Sequence, residues 1–104
     1  MAESPLPGPV PGSFRMATAG DVEAAWGRMA EALQPVVERG DCVLLGILLG
    51  ALPTLVNVAR RLDGDVLLET CRVSRYRGGL KGGELTWLAT PVLPLAGRRV
   101  VVVD

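Results

Sequence analysis

The chain ends in the run "RRVVVVD", residues 98–104, and its four consecutive valines restrict the folds that are open to it. β-Branched residues favour strands, and an apolar run without polar alternation is typical of a central strand in a parallel sheet, buried on both faces. A charged residue is tolerated only where such a strand ends. Asp104 therefore marks the carboxyl end of a predicted parallel strand, where open α/β sheets bind their ligands. It is either a site residue or the first residue of a loop.

The preceding sequence predicts helices and strands in alternation. Thr18 and Asp21 form a capping-box pattern, and apolar residues then recur at helical spacing up to Gly40, which can end the helix in the left-handed conformation. A short buried strand follows over 42–48. The Leu49-Gly50 turn opens a second helix over 52–62, with Pro53 near its first position.

Two further strands, 65–76 and 83–90, flank the segment "RGGLKGG". Four glycines in seven residues predict a mobile antiparallel arm rather than a fixed tight hairpin. Four bases and no acid lie within ten residues at this arm: Arg72, Arg75, Arg77 and Lys81. The cluster is either a solvated basic hairpin or a local phosphate site.

Composition limits the class of protein. The Pro- and Gly-rich residues 1–18 predict a disordered tail, and 19–104 predict one small domain. Formal net charge is zero, which argues against general polyanion binding, and the longest apolar run is interrupted by glycine and proline, which argues against a membrane span. Cys42 and Cys71 lack metal-binding spacing and are interpreted as reduced core thiols of a cytoplasmic protein.

Over about residues 20–104 the sequence resembles the N-terminal part of a type I phosphoribosyltransferase of the hypoxanthine-guanine branch. The family's pyrophosphate-binding turn after the first strand corresponds to Leu49 and Gly50. The family's mobile loop opens with a Ser-Tyr pair, and the corresponding pair here is Arg75-Tyr76. Arg77 follows, so the chain reads "YRG", as a purine-salvage subgroup of the family does at this point. The hydrophobic residues and first acid of its phosphoribosyl pyrophosphate signature correspond to 100–104. Leu49 replaces the lysine that the family usually has.

The resemblance implies an α/β fold, the N-terminal portion of a Rossmann-like parallel sheet with an antiparallel flexible arm. It implies that Leu49 and Gly50 bind pyrophosphate, with the Leu49-Gly50 peptide able to adopt the cis form. Arg75, Tyr76 and Arg77 would belong to the loop that closes over the sugar. Asp104 would hold the ribose hydroxyls and contact Mg²⁺ indirectly, through water. No catalytic residue lies within the chain, because the family's catalytic aspartate, 5′-phosphate loop and purine-binding residues would follow position 104.

The implied activity is purine salvage by the parent protein: transfer of phosphoribosyl from phosphoribosyl pyrophosphate to hypoxanthine or guanine, giving IMP or GMP and pyrophosphate. The implied partners are phosphoribosyl pyrophosphate, a 6-oxopurine and further copies of the chain, as a homodimer or homotetramer. Two alternatives remain open, a non-catalytic regulator of the same fold that binds nucleotide or RNA, and an inactive truncated fragment. Nucleic-acid binding is disfavoured by zero net charge and by the single aromatic residue, Tyr76, in the basic arm.

Overall fold

The computed structural model describes residues 10–75 and 85–104. Its elements are two helices and four strands: α1 (Ala19–Glu38), β1 (Cys42–Ile47), α2 (Leu52–Ala59), β2 (Val66–Arg75), β3 (Leu85–Ala89) and β4 (Arg99–Val103). Residues 10–18 contain neither helix nor strand and are exposed. Residues 1–9 of the predicted tail lie outside the described residues, as do the tip of the predicted arm and its residues Tyr76 and Arg77.

The four strands form one sheet in the order β3-β2-β1-β4. β1 pairs in parallel with β2 on one side and with β4 on the other, and β3 pairs antiparallel with β2. The predicted parallel pairing of strands 42–48 and 99–104 is confirmed, and so is the predicted antiparallel pair at the base of the arm. The fold is therefore a mostly parallel α/β sheet with one antiparallel strand.

Helix α1 begins and ends as the sequence predicts. The Thr18 hydroxyl accepts from the Asp21 N–H at 3.0 Å, and the Asp21 carboxylate accepts from the Thr18 N–H at 2.9 Å. This capping box satisfies two backbone donors of the first turn. Gly40 follows the helix with φ of 84°, a conformation that costs glycine little.

Helix α2 ends at Ala59, three residues before the predicted end at 62. The Arg61 N–H bonds the Val58 carbonyl and the Leu62 N–H bonds the Ala59 carbonyl, so the chain continues as tighter three-residue turns. These turns keep Leu62 against the core, which explains why the apolar pattern extends beyond the α-helix.

Both helices cover one face of the sheet and build the core against it. The buried residues of this core are Val37, Cys42, Leu44, Ala51, Leu55 and Val103. Trp26 is half-buried between the helices, where its indole N–H donates to the Thr54 hydroxyl at 3.2 Å and the Arg61 guanidinium lies 5.7 Å from its ring centroid. The predicted apolar stripe of α1 is therefore a packing surface, although Val22 and Met29 at its margin are each 40% exposed.

Strand β4 differs from its prediction. In the described part of the chain it lies at the sheet edge, and only Val101 and Val103 pack against the helix-side core. Val100 and Val102, on the opposite face, are 36% and 58% exposed. The burial on both faces that was predicted for the valine run is found in β1 instead. The whole stretch Cys42–Leu45 is buried, because strands lie on both sides of β1 and layers cover both of its faces.

The segment joining β3 to β4 crosses the face opposite the helices. Glu69 lies on that face, and one of its carboxylate oxygens accepts from the N–H groups of Val92 and Leu93, at 3.1 and 2.9 Å. Its other oxygen accepts from the Thr70 N–H at 2.9 Å. The Leu93, Thr70 and Val92 N–H groups hold the pKa of Glu69 below its ordinary value of 4.5. This carboxylate anchors the connection to the sheet.

Cys42 and Cys71 are free and buried, in agreement with their prediction as core thiols. Burial raises the pKa of the Cys42 thiol, so it stays protonated at neutral pH. Within the described ranges, neither helix combines the length and the apolar character that a membrane crossing would require.

Candidate functional site at the carboxyl edge of the sheet

The arrangement of β1 and β4 creates a topological switch point. From β1 the chain passes through α2 to β2 on one side, whereas β4 lies on the other side of β1. Open α/β sheets bind ligands in the crevice beyond the carboxyl ends of two such strands. The turn after β1 and the residue after β4 both lie at this crevice, as the sequence predicts.

The turn from β1 into α2 is tied to the sheet on both sides. The Leu48 N–H donates to the Cys71 carbonyl at 2.9 Å, and the Ala51 N–H donates to the Ile47 carbonyl at 3.1 Å. Between them, the N–H groups of Leu49 and Gly50 have no acceptor among the described residues. Both residues are exposed, so two adjacent backbone donors face solvent at the start of a helix. Such donors suit an anion.

The peptide geometry of this turn differs from the expectation in one detail. The cis peptide bond lies between Leu48 and Leu49, one position before the expected Leu49-Gly50 bond.

Gly50 leaves open space at the turn. A Cβ atom built on Gly50 meets nothing within 4 Å, and its φ lies outside the left-handed region. A small side chain at Gly50 would therefore meet no other described part of the protein. Without a side chain, the space above the backbone donors stays open to a ligand.

Asp104 lies beside this turn by register. Val103 pairs with Gly46, so Asp104 lies level with Ile47, the last residue before the turn. Its side chain is exposed, which leaves the carboxylate open to a ligand. Asp104 also lines a groove of about 350 Å³, whose other lining residues are apolar: Met29, Ala32, Leu33, Val58 and Val101–Val103. No residue of the turn lines this groove.

The base of the arm lies at the same edge. Cys71 pairs with Ile47, and β2 then continues for four more residues to Arg75, about 13 Å at the rise of a strand. Arg75 pairs with Leu85 of β3 and is exposed. Of the three predicted loop residues, Arg75 is thus placed beside the crevice, while Tyr76 and Arg77 lie outside the described residues.

Two residues that support this site were not predicted from the sequence. Gly46 allows α2 to approach β1, since a Cβ atom there would lie 2.8 Å from Cδ2 of Leu55. Glu69 holds the connection that leads to β4 and hence to Asp104. A single acid in the apolar run "VLLETC" is a signal that could have identified Glu69, because such an acid in a strand needs hydrogen-bond donors.

The described residues contain no group of three or more side chains able to hold a metal ion by themselves. Mg²⁺ typically binds one or two carboxylates together with substrate phosphates. The exposed carboxylate of Asp104 beside free backbone donors fits that kind of shared site.

Solved structures resemble this fold. A hypoxanthine-guanine phosphoribosyltransferase from L. donovani superposes with a TM-score of 0.74 at 19% identity, over 86% of this chain and 57% of that one. The Staphylococcus aureus hypoxanthine phosphoribosyltransferase gives 0.73 at 18%, over 84% and 47%. The Pyrococcus horikoshii purine phosphoribosyltransferase gives 0.66 at 28%, over 83% and 53%.

The chain has part of a phosphoribosyltransferase fold. It spans about half the length of the phosphoribosyltransferases it resembles, which is consistent with the expected N-terminal part of that fold. No protein-family model and no curated protein matches the sequence.

Proposed function

We propose that this chain supplies the pyrophosphate turn and the ribose carboxylate of a purine phosphoribosyltransferase. The parent protein would transfer phosphoribosyl from phosphoribosyl pyrophosphate to hypoxanthine or guanine. One observation carries the proposal: two backbone donors, at Leu49 and Gly50, find no acceptor among the described residues and lie at the switch point, level with an exposed carboxylate at Asp104. A phosphorylated sugar presents the matching groups, an anionic leaving group and vicinal hydroxyls.

Each group has a distinct role in this proposal. The N–H groups of Leu49 and Gly50 bind pyrophosphate oxygens, aided by the positive end of α2. Leu49 offers no side-chain charge, so binding at the turn depends on backbone donors. Asp104 accepts from the ribose hydroxyls, and its negative charge lies where an oxocarbenium-like sugar would develop positive charge. Mg²⁺, when bound, would neutralise charge on the pyrophosphate.

The arm complements these roles. Arg75 stands at its base beside the crevice, and closure of the arm from this base would exclude water from the reacting sugar. We propose a cytoplasmic location, supported by the free thiols of Cys42 and Cys71, and assembly of the parent enzyme as a homodimer or homotetramer.

The proposal is tested by comparing two ligands on the chain of residues 1–104. Isothermal titration calorimetry with Mg²⁺ measures pyrophosphate and phosphoribosyl pyrophosphate separately. Asp104→Asn should weaken phosphoribosyl pyrophosphate binding by about 1–3 kcal/mol, the scale of one charged hydrogen-bonding contact, and leave pyrophosphate binding unchanged. Only the sugar ligand presents hydroxyls to Asp104.

Asp65→Asn is the matched control. It makes the same chemical change on an exposed residue just before β2, at the opposite edge of the sheet, and should alter neither ligand's affinity. Equal weakening of phosphoribosyl pyrophosphate binding by both variants would show that Asp104 acts only through its general negative charge and not through a direct contact. Binding of RNA in place of either ligand would favour the regulator over the enzyme.

A further inference from the structure

Helix α2 has the backbone donors of the turn at its start, and its own residues do little to fix its orientation. It spans only eight residues, and a helix this short depends on tertiary contacts for its stability. Leu55 and Val58 bury one face of it, but apolar packing is non-directional and sets the angle of a helix less sharply than a hydrogen bond does. Its N-cap is Ala51, which has no side-chain oxygen to cap the first turn. A directional contact from another element is therefore what can fix this turn.

Trp26 of α1 makes such a contact. Its indole N–H donates to the Thr54 hydroxyl at 3.2 Å, and Thr54 is the third residue of α2. Among the described residues, no other side chain outside α2 hydrogen-bonds its first turn. Because a hydrogen bond has a preferred direction as well as a preferred length, this bond fixes both the distance and the rotation of the first turn relative to α1.

The indole ring is itself held in place by Arg61. The Arg61 guanidinium lies 5.7 Å from the ring centroid, where a cation is attracted to the π system. It also donates to the Asn57 carbonyl of α2 at 2.7 Å and forms an ion pair with Glu23 of α1. Since Arg61 is anchored to both helices, the ring beside it keeps one orientation, with its N–H aimed at Thr54.

The first turn of α2 is continuous with the two donor residues. The Leu52 N–H donates to the Leu49 carbonyl at 3.0 Å. The Leu55 N–H donates to the Ala51 carbonyl at 2.8 Å. A rotation of the first turn therefore changes the direction in which the N–H groups of Leu49 and Gly50 point. Hydrogen bonds weaken steeply as the donor angle closes, so the affinity of these donors for an anion depends on where the first turn lies.

We propose that Trp26 is a positioning residue for pyrophosphate binding. Through Thr54, its indole N–H holds the N–H groups of Leu49 and Gly50 in the direction that the ligand requires. The inference rests on the proposed function, because it concerns the same ligand at the same turn. Loss of the indole N–H should weaken pyrophosphate binding about three- to tenfold, the scale of one neutral hydrogen bond.

Isothermal titration calorimetry of the chain with pyrophosphate and Mg²⁺ provides the test. Trp26→Phe keeps an aromatic ring and removes the N–H donor, and Thr54→Val keeps the side-chain shape and removes the acceptor. Each should weaken pyrophosphate binding about three- to tenfold. The double variant should bind no more weakly than either single variant, because both changes remove the same hydrogen bond. Thr54→Ser keeps the hydroxyl and should bind pyrophosphate as the wild type does.

Gln34→Leu is the matched control for a general loss of stability. The Gln34 side chain also joins α1 to the chain around α2, because it donates to the Asp63 carbonyl at 2.8 Å and accepts from the Asp63 N–H at 3.0 Å. These bonds lie after the end of α2, at the opposite edge of the sheet from the turn. Gln34→Leu should therefore lower the urea midpoint, as Trp26→Phe does, and leave pyrophosphate affinity unchanged. Circular dichroism follows the unfolding, since Trp26 is itself replaced.

The outcomes separate this inference from the proposed function. A wild-type chain that binds no pyrophosphate would overturn both. A wild-type chain that binds pyrophosphate, with a Trp26→Phe chain that binds it equally well, would overturn this inference alone. Additive losses in the double variant would also overturn it. So would a Gln34→Leu chain whose affinity falls as far as that of Trp26→Phe, because the loss would then follow general stability.

Discussion

Gly46 offers the sharpest test of how the site is supported. It lies on β1 under α2, two residues before the turn, and it is buried. A Cβ atom at this position would lie 2.8 Å from Cδ2, 3.5 Å from Cγ and 3.6 Å from Cβ of Leu55. Leu55 is only 2% exposed, so it has little room to move away. The Gly46→Ala variant must therefore strain the contact between β1 and α2.

The magnitude follows from two opposing terms. Adding a methylene-sized group to a packed core costs about 1–3 kcal/mol. Replacing glycine by alanine within a strand returns about 0.5–1 kcal/mol of backbone entropy. The middle of each range gives a net destabilisation of about 1 kcal/mol, which lowers Tm by about 4–8 °C in a domain near this size.

Urea unfolding followed by tryptophan fluorescence measures the effect, since Trp26 reports on the interface of the two helices. Gly27→Ala is the matched control: a Cβ there meets nothing within 4 Å, and the α-helical position should gain about 0.5–1 kcal/mol. Leu55→Ala should cost about 2–5 kcal/mol alone, and adding Gly46→Ala to it should cost nothing further. A Gly46→Ala chain as stable as wild type, or additive effects in the double variant, would refute the packing argument.

Two further predictions concern the connection and the turn. Glu69→Gln should destabilise the chain at neutral pH. The carboxylate accepts from the N–H groups of Val92, Leu93 and Thr70, and an amide has one acceptor oxygen fewer to offer them. The folded pKa of Glu69 lies below 4.5, so the stabilisation by its carboxylate is present above that value and is lost as pH falls through the folded pKa. The urea midpoints of wild type and variant should therefore converge in acid. A gap between the midpoints that stays constant with pH would contradict this. Gly50→Val should preserve the urea midpoint and abolish pyrophosphate binding. Leu49→Ala should preserve both the urea midpoint and pyrophosphate binding. An unfolded Gly50→Val chain would show that the turn lacks the open space described.

Local patterns determined much of this fold from the sequence alone. The capping box at Thr18 and Asp21, the left-handed Gly40 and the early proline of α2 depend on residues within a few positions of one another. The parallel pairing of the two apolar strands also followed from their composition, because strands without polar alternation need neighbours. Their shared direction brought the turn and Asp104 to one edge.

Tertiary structure decided what those patterns left open. Burial of the valine run depends on which strands and layers lie beside it, so in the described part of the chain β4 is half-exposed although its sequence is as apolar as β1. The contact between Gly46 and Leu55 and the anchor at Glu69 join residues that are distant in sequence, and no local spacing encodes such contacts. The open space at Gly50 likewise arises from the path of the whole turn. Sequence determines what each residue can do, and long-range packing determines which partner it meets.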